Sequence, residues 1–204
     1  MSVEVEGSTR ERLLDVALNL FAQNGFAGTS MRMIARGAEL RESSIYNHFT
    51  GKDELYREVA AQWGPAEFVD RLQSKEYKDL VDDPAAFLRL CAKHLIDRWM
   101  DPREHLFASL IAKEGPEGEG FQRYYQALFV DELDLLERYF AHFAKKHGMV
   151  APNPRETARM LIAGFVHIRR ELFSAPAMPQ RTEVQKAMRR YITNFMATVL
   201  PASE

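Results

Sequence analysis

Five hydrogen-bonding side chains of moderate length lie between positions 43 and 48: Ser43, Ser44, Tyr46, Asn47 and His48. An ordinary solvated helix face carries mostly Lys and Glu instead. Hydroxyl, phenol, carboxamide and imidazole groups make directional hydrogen bonds. Such groups suit the base edges and phosphate oxygens of a nucleic-acid groove. This cluster is the chain's best candidate for specific chemistry.

Two short helical patterns have to hold this cluster in place. Their apolar positions recur at helical spacing: Ile34, Ala35 and Ala38, then Ile45 and Phe49. The pair Thr29-Ser30 precedes the first pattern and is typical of a helix N-cap. Residues 39–41 must reverse the chain, with Leu40 filling the space between the two helices. The spacing predicts a helix-turn-helix.

Further helices are predicted on both sides of this motif. Ser8 and Glu11 form a capping box that begins a first helix, and Asn24-Gly25 ends it. A fourth helix should run from residues 50–51 to about Trp63. Beyond it the chain reads as helical almost throughout, without the alternating apolar pattern of a strand.

Proline, glycine and apolar spacing divide this second part into helices. Asp83-Pro84 and Asp101-Pro102 each predict a helix start, and three long helices should cover residues 121–147, 154–173 and 182–200. Residues 174–179 read as a connector. The glycine-rich segment 115–120 also reads as a connector, because it is acidic and lacks the Lys-Ser/Thr of a nucleotide-binding loop. The predicted fold class is all-α.

Composition limits the classes of function. A length of 204 residues with 46% hydrophobic residues is enough for a core. A net charge of -2 and a pI of about 6.3 argue against a protein that coats nucleic acid nonspecifically. Residues 26–52, however, carry four basic side chains (Arg32, Arg36, Arg41, Lys52) against two acidic ones (Glu39, Glu42), a local charge of +2. Nucleic-acid binding would rest on this local patch.

The remaining composition points to a cytoplasmic protein. The lone Cys91 excludes an intramolecular disulfide and reads as a small core residue rather than a reactive thiol. Residues 1–8 are acidic and polar, unlike a signal peptide. The longest apolar run, 161–166, is far shorter than the roughly 20 residues of a membrane span.

Residues 8–56 resemble the amino-terminal domain of the TetR family of bacterial transcriptional regulators. The matching positions are Phe26, Thr29, Ser30, Ile34, Ala35, Ala38, Leu40, Tyr46, Phe49, Lys52 and Leu55. Three positions depart from the family pattern. Glu39 replaces the usual turn glycine, Arg41 replaces the usual Ser or Thr cap, and Ser43 replaces a frequent glycine. The first two departures each cost on the order of 1 kcal/mol.

The resemblance implies a three-helix helix-turn-helix DNA-binding domain at 1–51 and a helical effector-binding and dimerisation domain at 52–204. It places Tyr46, His48 and Lys52 on phosphates. The Asn47 carboxamide is the best candidate for reading a base, because it can bind adenine bidentately. The full set of predicted DNA contacts is Thr29, Ser30, Arg32, Arg41, Ser43, Ser44, Tyr46, Asn47, His48 and Lys52.

The implied partners are a double-stranded DNA operator, a second copy of the chain and a small lipophilic or aromatic effector, with no cofactor, metal or membrane. A homodimer would read a palindrome with half-sites about 34–36 Å apart. The predicted dimer-interface residues are Leu161, Gly164, Phe165, Ile168, Leu172, Met188, Tyr191, Phe195 and Val199. The predicted effector-pocket residues are Phe68, Phe87, Cys91, Trp99, Phe107, Leu110, Tyr125, Phe129, Phe165 and His167. Intrachain core is the alternative for both sets.

The predicted function is a ligand-responsive repressor, with two alternatives. Glu39 and Arg41 leave open a protein-interaction module whose helix-turn-helix no longer binds DNA. A small all-helical enzyme is the other alternative. Against an enzyme, the six histidines include no pair spaced three or four residues apart, and the sequence has no Gly-x-Ser-x-Gly or Walker motif.

Overall fold

The computed structural model describes residues 8–64, 66–149, 153–174 and 177–200. Its α-helices are α1 (Thr9–Asn24), α2 (Met31–Gly37), α3 (Glu42–Ile45), α4 (Lys52–Trp63), α5 (Ala66–Leu72), α6 (Lys75–Lys78), α7 (Pro84–Trp99), α8 (Pro102–Glu114), α9 (Glu119–Gln126), α10 (Glu132–His147), α11 (Pro154–Phe173) and α12 (Arg181–Val199). The described ranges contain no strand, so the all-α prediction is confirmed. Two predictions involve residues outside the described ranges. They are the absence of a signal peptide, for residues 1–7, and part of the predicted connector, for residues 175–176.

Local signals set the helix ends as predicted. The Ser8 hydroxyl accepts a hydrogen bond from the Glu11 N–H at 3.3 Å, and the Glu11 carboxylate accepts one from the Ser8 N–H at 2.8 Å. This is the predicted capping box of α1. Gly25, at φ 75°, ends the helix. The Asp83 carboxylate caps α7 by accepting from the Ala86 N–H at 2.8 Å.

The predicted helix at 121–147 is not uniform. A π-helical segment, Ala127–Asp131, joins α9 to α10. The Gln126 side-chain amide donates to the Asp131 carboxylate at 3.0 Å, a bond between side chains five residues apart that matches the wider π turn. An inserted π turn rotates the residues that follow, and so shifts the face that α10 presents.

The chain forms two compact units by contact: residues 1–67 with 102–124, and residues 68–101 with 125–204. In the first unit, α8 packs against α1 and α4 and joins the core of the helix-turn-helix. The buried residues of this core are Leu13, Leu14, Ala17, Leu18, Phe21, Ile34, Ala35, Ala38, Ile45, Phe49, Leu55, Val59, Trp63, Phe107, Leu110 and Ile111. The functional boundary proposed at 51/52 stays a prediction.

The second unit is built on α7, α10, α11 and α12. Helix α11 packs between α10 and α12, and α12 also contacts α7. The Phe87 ring packs against Tyr139 at 4.4 Å and against Phe143 at 5.3 Å between centroids. Burial of each such side chain contributes roughly 1.5–3 kcal/mol. Within the described ranges, no helix combines the length and apolar character needed to cross a membrane.

Candidate nucleic-acid interface

Helices α2 and α3 form the predicted helix-turn-helix. On α3, Ile45 is fully buried in the core of the first unit, and Phe49 just beyond it is also buried. Leu40, in the turn, is partly buried against the same core, as predicted. Because Ile45 and Phe49 hold the inner side, Tyr46 and Asn47 lie on the outer side and are exposed.

The turn between the helices has a left-handed backbone conformation, which is unfavourable for the glutamate at this position. Glu39 has φ 56° and is the one non-glycine residue of the described ranges with a positive φ. Left-handed backbone costs an L-residue roughly 1–2 kcal/mol. The Leu40 N–H donates to the Ala35 carbonyl at 2.9 Å, which fixes the reversal. Arg41 occupies the N-cap position of α3 and makes no side-chain capping hydrogen bond, as its departure from the family pattern predicts.

Most of the predicted DNA contacts are accessible. Tyr46 is 53% exposed. Ser44 and His48 are half-buried, and the side chains of the others in this group are exposed: Ser30, Arg32, Arg41, Ser43 and Asn47. The Ser30 hydroxyl also caps α2 by accepting from the Met33 N–H at 3.2 Å. The accessible groups are hydrogen-bond donors and acceptors carried by α3, the turn after it and the start of α2.

Thr29 does not fit the prediction of a side-chain contact with DNA. It is 2% exposed, and its hydroxyl lies 3.1 Å from the Leu20 carbonyl and 2.9 Å from the Gly25 carbonyl. The hydroxyl therefore ties the end of α1 to the start of α2. Only Ser30 of the predicted capping pair has its side chain outside the core.

Lys52 has a structural role in addition to its predicted phosphate contact. Its ammonium donates to the carbonyls of Phe26 at 2.8 Å and Thr29 at 2.9 Å, and it lies 4.2 Å from the Phe26 ring centroid. An ammonium has three donors, so these two bonds leave one for a phosphate. Lys52 thereby links α4 to the loop before α2.

Two further groups that position this surface did not stand out in the sequence. The Glu54 carboxylate accepts from the Thr50 N–H at 2.5 Å and the Thr50 hydroxyl at 2.6 Å. These bonds, first from the hydroxyl and then from the backbone, hold the pKa of Glu54 below its usual range. Arg10 of α1 lies over the Phe49 ring at 4.9 Å and pairs with Glu58. The four-residue spacing of Thr50 and Glu54 is a signal that could be found in the sequence. The contacts of Arg10 with Phe49 and Glu58 have no such local signal.

Helix α8 holds the end of α1 and the start of α4. The Lys113 ammonium donates to the carbonyl of Gln23 at 2.8 Å and to that of Ala22. Helix α1 has no basic residue in its own last turn, so Lys113 supplies the positive charge that a helix C-terminus favours. On α4, the Tyr56 hydroxyl donates to the Glu114 carboxylate.

A cleft of about 680 Å³ in the first unit adjoins these contacts. The segment 24–27 before α2, Asp53 and Arg57 of α4, and Arg123 of α9 all line it. A Cβ atom on Gly120 would lie 1.8 Å from the Tyr56 hydroxyl oxygen, so a side chain at this position would displace Tyr56. The predicted connector 115–120 ends at residue 118, because Glu119 and Gly120 form the first turn of α9.

The predicted effector-pocket residues are divided between the two cores. Phe107 and Leu110 belong to the core of the first unit, and Phe107 lines a cavity of about 190 Å³ there. The second core contains Phe68, Phe87, Cys91, Trp99 and Phe165. Tyr125 and Phe129 are exposed with ring centroids 4.9 Å apart, and His167 is exposed. The effector site stays a prediction.

Cys91 is buried in the second core, which confirms its interpretation as a small core residue. Burial raises the pKa of its thiol, which keeps it protonated and unreactive. Among the described residues, no group of three or more His, Cys, Asp or Glu side chains has an arrangement suited to a metal ion.

The apolar stripes predicted to face a second subunit lie mostly in the chain's own core. The buried members are Leu161, Phe165, Ile168, Met188, Phe195 and Val199. Gly164 packs under the Tyr191 ring, and the Tyr191 hydroxyl donates to the Met160 carbonyl at 2.7 Å. Leu172 is half-buried. The buried side chains are therefore unavailable to a partner in this conformation, because α10, α11, α12 and α7 cover one another's apolar faces.

Comparison with known proteins decides the family. The model described as bacterial regulatory proteins, tetR family, matches residues 13–59. The HTH-type transcriptional regulator AcrR of Shigella flexneri is 27% identical over 199 residues, which are 94% of this chain and 89% of that protein. Residues 13–59 form a domain of the TetR family.

Other proteins are similar to this chain over a shorter range or at lower identity. The HTH-type transcriptional repressor KstR2 of Mycobacterium tuberculosis is 37% identical over 78 residues, 38% of this chain and 36% of that protein. The structure of SmeT, the repressor of the Stenotrophomonas maltophilia multidrug efflux pump SmeDEF, superposes with a TM-score of 0.65 at 20% identity, covering 96% of this chain and 92% of that one. At that identity the superposition shows the shared fold.

The family match covers the helix-turn-helix and the helices on either side of it. Residues 13–59 extend from α1 into α4 and contain every predicted DNA contact. They also contain Glu39, whose positive φ occurs in the turn between α2 and α3. The family fold therefore tolerates a glutamate at this turn, at the conformational cost given above.

Proposed function

We propose that this TetR-family protein is a cytoplasmic, sequence-specific DNA-binding transcriptional regulator, a ligand-responsive repressor that binds a palindromic operator as a dimer. One observation carries the proposal: Tyr46 and Asn47 are exposed in the turn that directly follows α3, while Ile45 and Phe49 anchor the same segment in the core. The segment thus presents hydrogen-bonding groups on a fixed support, as a groove-reading helix requires.

Each accessible group has a proposed task on DNA. Tyr46, His48 and the remaining donor of Lys52 hold phosphates and set the position of α3. Asn47 reads a base edge, with Ser43 and Ser44 beside it. Arg32 and Arg41 add positive charge near the backbone, where each neutralised phosphate releases counterions.

Ligand response needs a link between the effector and the position of α3. We propose that α8 supplies it, because α8 follows α7 directly in the chain and holds both α1, through Lys113, and α4, through Glu114. A ligand that favours a conformer with a displaced α8 would shift the population away from the DNA-binding form. The ligand must bind the two conformers with different affinity.

The effector class is proposed from composition and from a relative. The aromatic and aliphatic residues predicted for the pocket suit a lipophilic or aromatic molecule. The structure of a SmeT–triclosan complex superposes on this chain with a TM-score of 0.70 at 21% identity. The superposition covers 97% of this chain and 94% of the SmeT chain. Triclosan is therefore a reasonable first probe for this protein.

Binding of the purified protein to the DNA beside its own gene tests the proposal. Purified protein should retard this fragment but not an equal length of random DNA. Its affinity should fall steeply with salt, because phosphate contacts release counterions. Failure to bind any genomic fragment would instead favour a protein-interaction module, and activity that survives deletion of residues 1–56 would favour an enzyme.

A further inference from the structure

A groove of about 320 Å³ lies between α7 and α12 in the second unit. Five apolar side chains line it: Ala92, Ile96, Met188, Ile192 and Met196. Met188 and Ile192 are buried, whereas Met196 is half-buried. Methionine side chains are flexible and polarisable, so Met196 can adapt to apolar ligands of different shape above the buried floor of the groove.

Four cationic side chains also line the groove: Arg89 and Lys93 from α7, and Arg181 and Arg189 from α12. Its other lining residues, Gln185 and Thr193, are uncharged, and within the described part of the chain no acidic residue lines it. Nearby Asp97 pairs with Lys93 at 3.3 Å and with Arg181. One carboxylate can balance only one of the four charges, so the groove keeps a net charge of about +3 although the whole chain has -2.

Arginine and lysine often cover apolar surface with their aliphatic stems and leave the charged heads in water. Stem packing of this kind would account for each cation separately. It does not account for a groove that has room for a ligand, an apolar lining and cations contributed by both helices. A molecule with an apolar chain and an anionic head matches all three properties.

We propose that this groove binds a single-chain amphiphile with a carboxylate head. Its chain would lie on the methionine-containing lining, and its carboxylate would be held by Arg89 and Arg189, since guanidinium groups bind carboxylates bidentately. This site goes beyond the proposed DNA binding and lies wholly in the second unit.

Titration calorimetry of the full chain with sodium decanoate, below its micelle concentration, tests the proposal directly. We expect saturable binding to the unmodified protein. The double variant Arg89→Glu/Arg189→Glu should raise the Kd at least tenfold. The matched variant Lys186→Glu/Arg190→Glu changes the net charge by the same amount, at two exposed positions of α12 outside the groove. It should change the Kd less than twofold.

A second variant and a second probe separate the groove from general charge and general apolar binding. Thr193→Trp fills the groove from an exposed position and should abolish decanoate binding with all four cations present. Decyltrimethylammonium has the same chain and the opposite charge, and should bind at least tenfold more weakly. Thermal unfolding by circular dichroism confirms that each variant is folded.

Three results would overturn the proposal: no saturable decanoate binding, equal losses in the two double variants, or equal affinity for the cationic amphiphile. No DNA is present in these titrations. Decanoate binding could therefore be absent while operator binding is observed, and operator binding could be absent while decanoate binding is observed. The two proposals are thus tested separately.

Discussion

Asn47 is the residue through which we propose that the protein tells one operator from another. Its carboxamide is exposed on a segment that Ile45 and Phe49 anchor. Asn47→Ala should reduce discrimination between operator and random DNA by about 1–3 kcal/mol, because one bidentate base contact is lost. Fluorescence anisotropy with both DNAs measures the ratio. Gln62→Ala, an exposed change on α4, is the control, and unchanged discrimination in Asn47→Ala would remove Asn47 from base reading.

Glu132 gives the protein a pH-dependent stability. It is 4% exposed, and burial raises the pKa of its carboxyl from 4.5 to about 8, against the lowering effect of Arg98. Between these two pH values the unfolded chain loses the proton and the folded chain keeps it. Folding then binds a proton, so this group's contribution makes the free energy of unfolding fall as pH rises through this window.

Glu132→Gln should remove this dependence. The variant should be more stable than the unmodified protein by on the order of 1–3 kcal/mol at pH 8, and close to it at pH 5. Urea denaturation at both pH values measures the difference. Glu171→Gln, an exposed change on α11, should show little effect at either pH. A constant difference between pH 5 and pH 8 would contradict the assignment to Glu132.

Single residues also show what sequence reasoning can and cannot find. The sequence predicts Glu39 to be a strained turn residue, because the turn geometry follows from the motif, and its φ of 56° agrees. Thr29 and Ser30 looked equivalent, since both are hydroxyl residues before a helix. Which one faces the core depends on contacts with Leu20 and Gly25, which the local pattern does not specify.

At the scale of elements, α8 fastens the DNA-binding helices. Lys113 is 91 residues from Ala22 in sequence, and yet it supplies the cation for the end of α1. Lys113→Met should lower the free energy of unfolding by roughly 1.5–3 kcal/mol, the usual range for hydrogen bonds that involve a charged group. Chemical denaturation measures the loss. Lys186→Met on α12 is a matched exposed control, and equal stability of the two variants would contradict the role of Lys113.

Helix ends were predictable, whereas helix regularity and long-range ties were not. Asp83-Pro84 and the Ser8 capping box carry their signals within four residues, and α11 has the predicted bounds, Pro154–Phe173. The π-helical segment Ala127–Asp131 interrupts an apolar stripe that reads as one helix. Its register change depends on tertiary packing, as does the contact of Lys113 with α1.

For the whole molecule, the proposed dimer requires a surface through which two copies of the chain contact each other. The stripes chosen from sequence are largely core, because helical spacing identifies the buried face but not the element that covers it. On α11, Met160 at 47% exposure and Val166 at 41% remain uncovered in the single chain. Ala163, also exposed, lies between them along the helix. This face is therefore the better candidate for the dimer contact.

Met160→Glu should shift the proposed dimer toward monomer, because it buries a charge in the proposed contact. Operator affinity should fall with it, since one subunit reads a single half-site. Sedimentation velocity gives the oligomeric state. Gln73→Glu introduces the same charge at an exposed position outside α11 and should leave the dimer intact. A Met160→Glu protein that sediments as the unmodified dimer would place the contact elsewhere.

The most direct test of sequence-specific operator binding is selection of bound sites from a random DNA library by the purified, full-length protein, followed by sequencing. We expect an inverted repeat whose half-sites lie about 34–36 Å apart from centre to centre, and its enrichment should collapse when Asn47→Ala protein is used. Enrichment of no sequence over the starting library would contradict sequence-specific DNA binding.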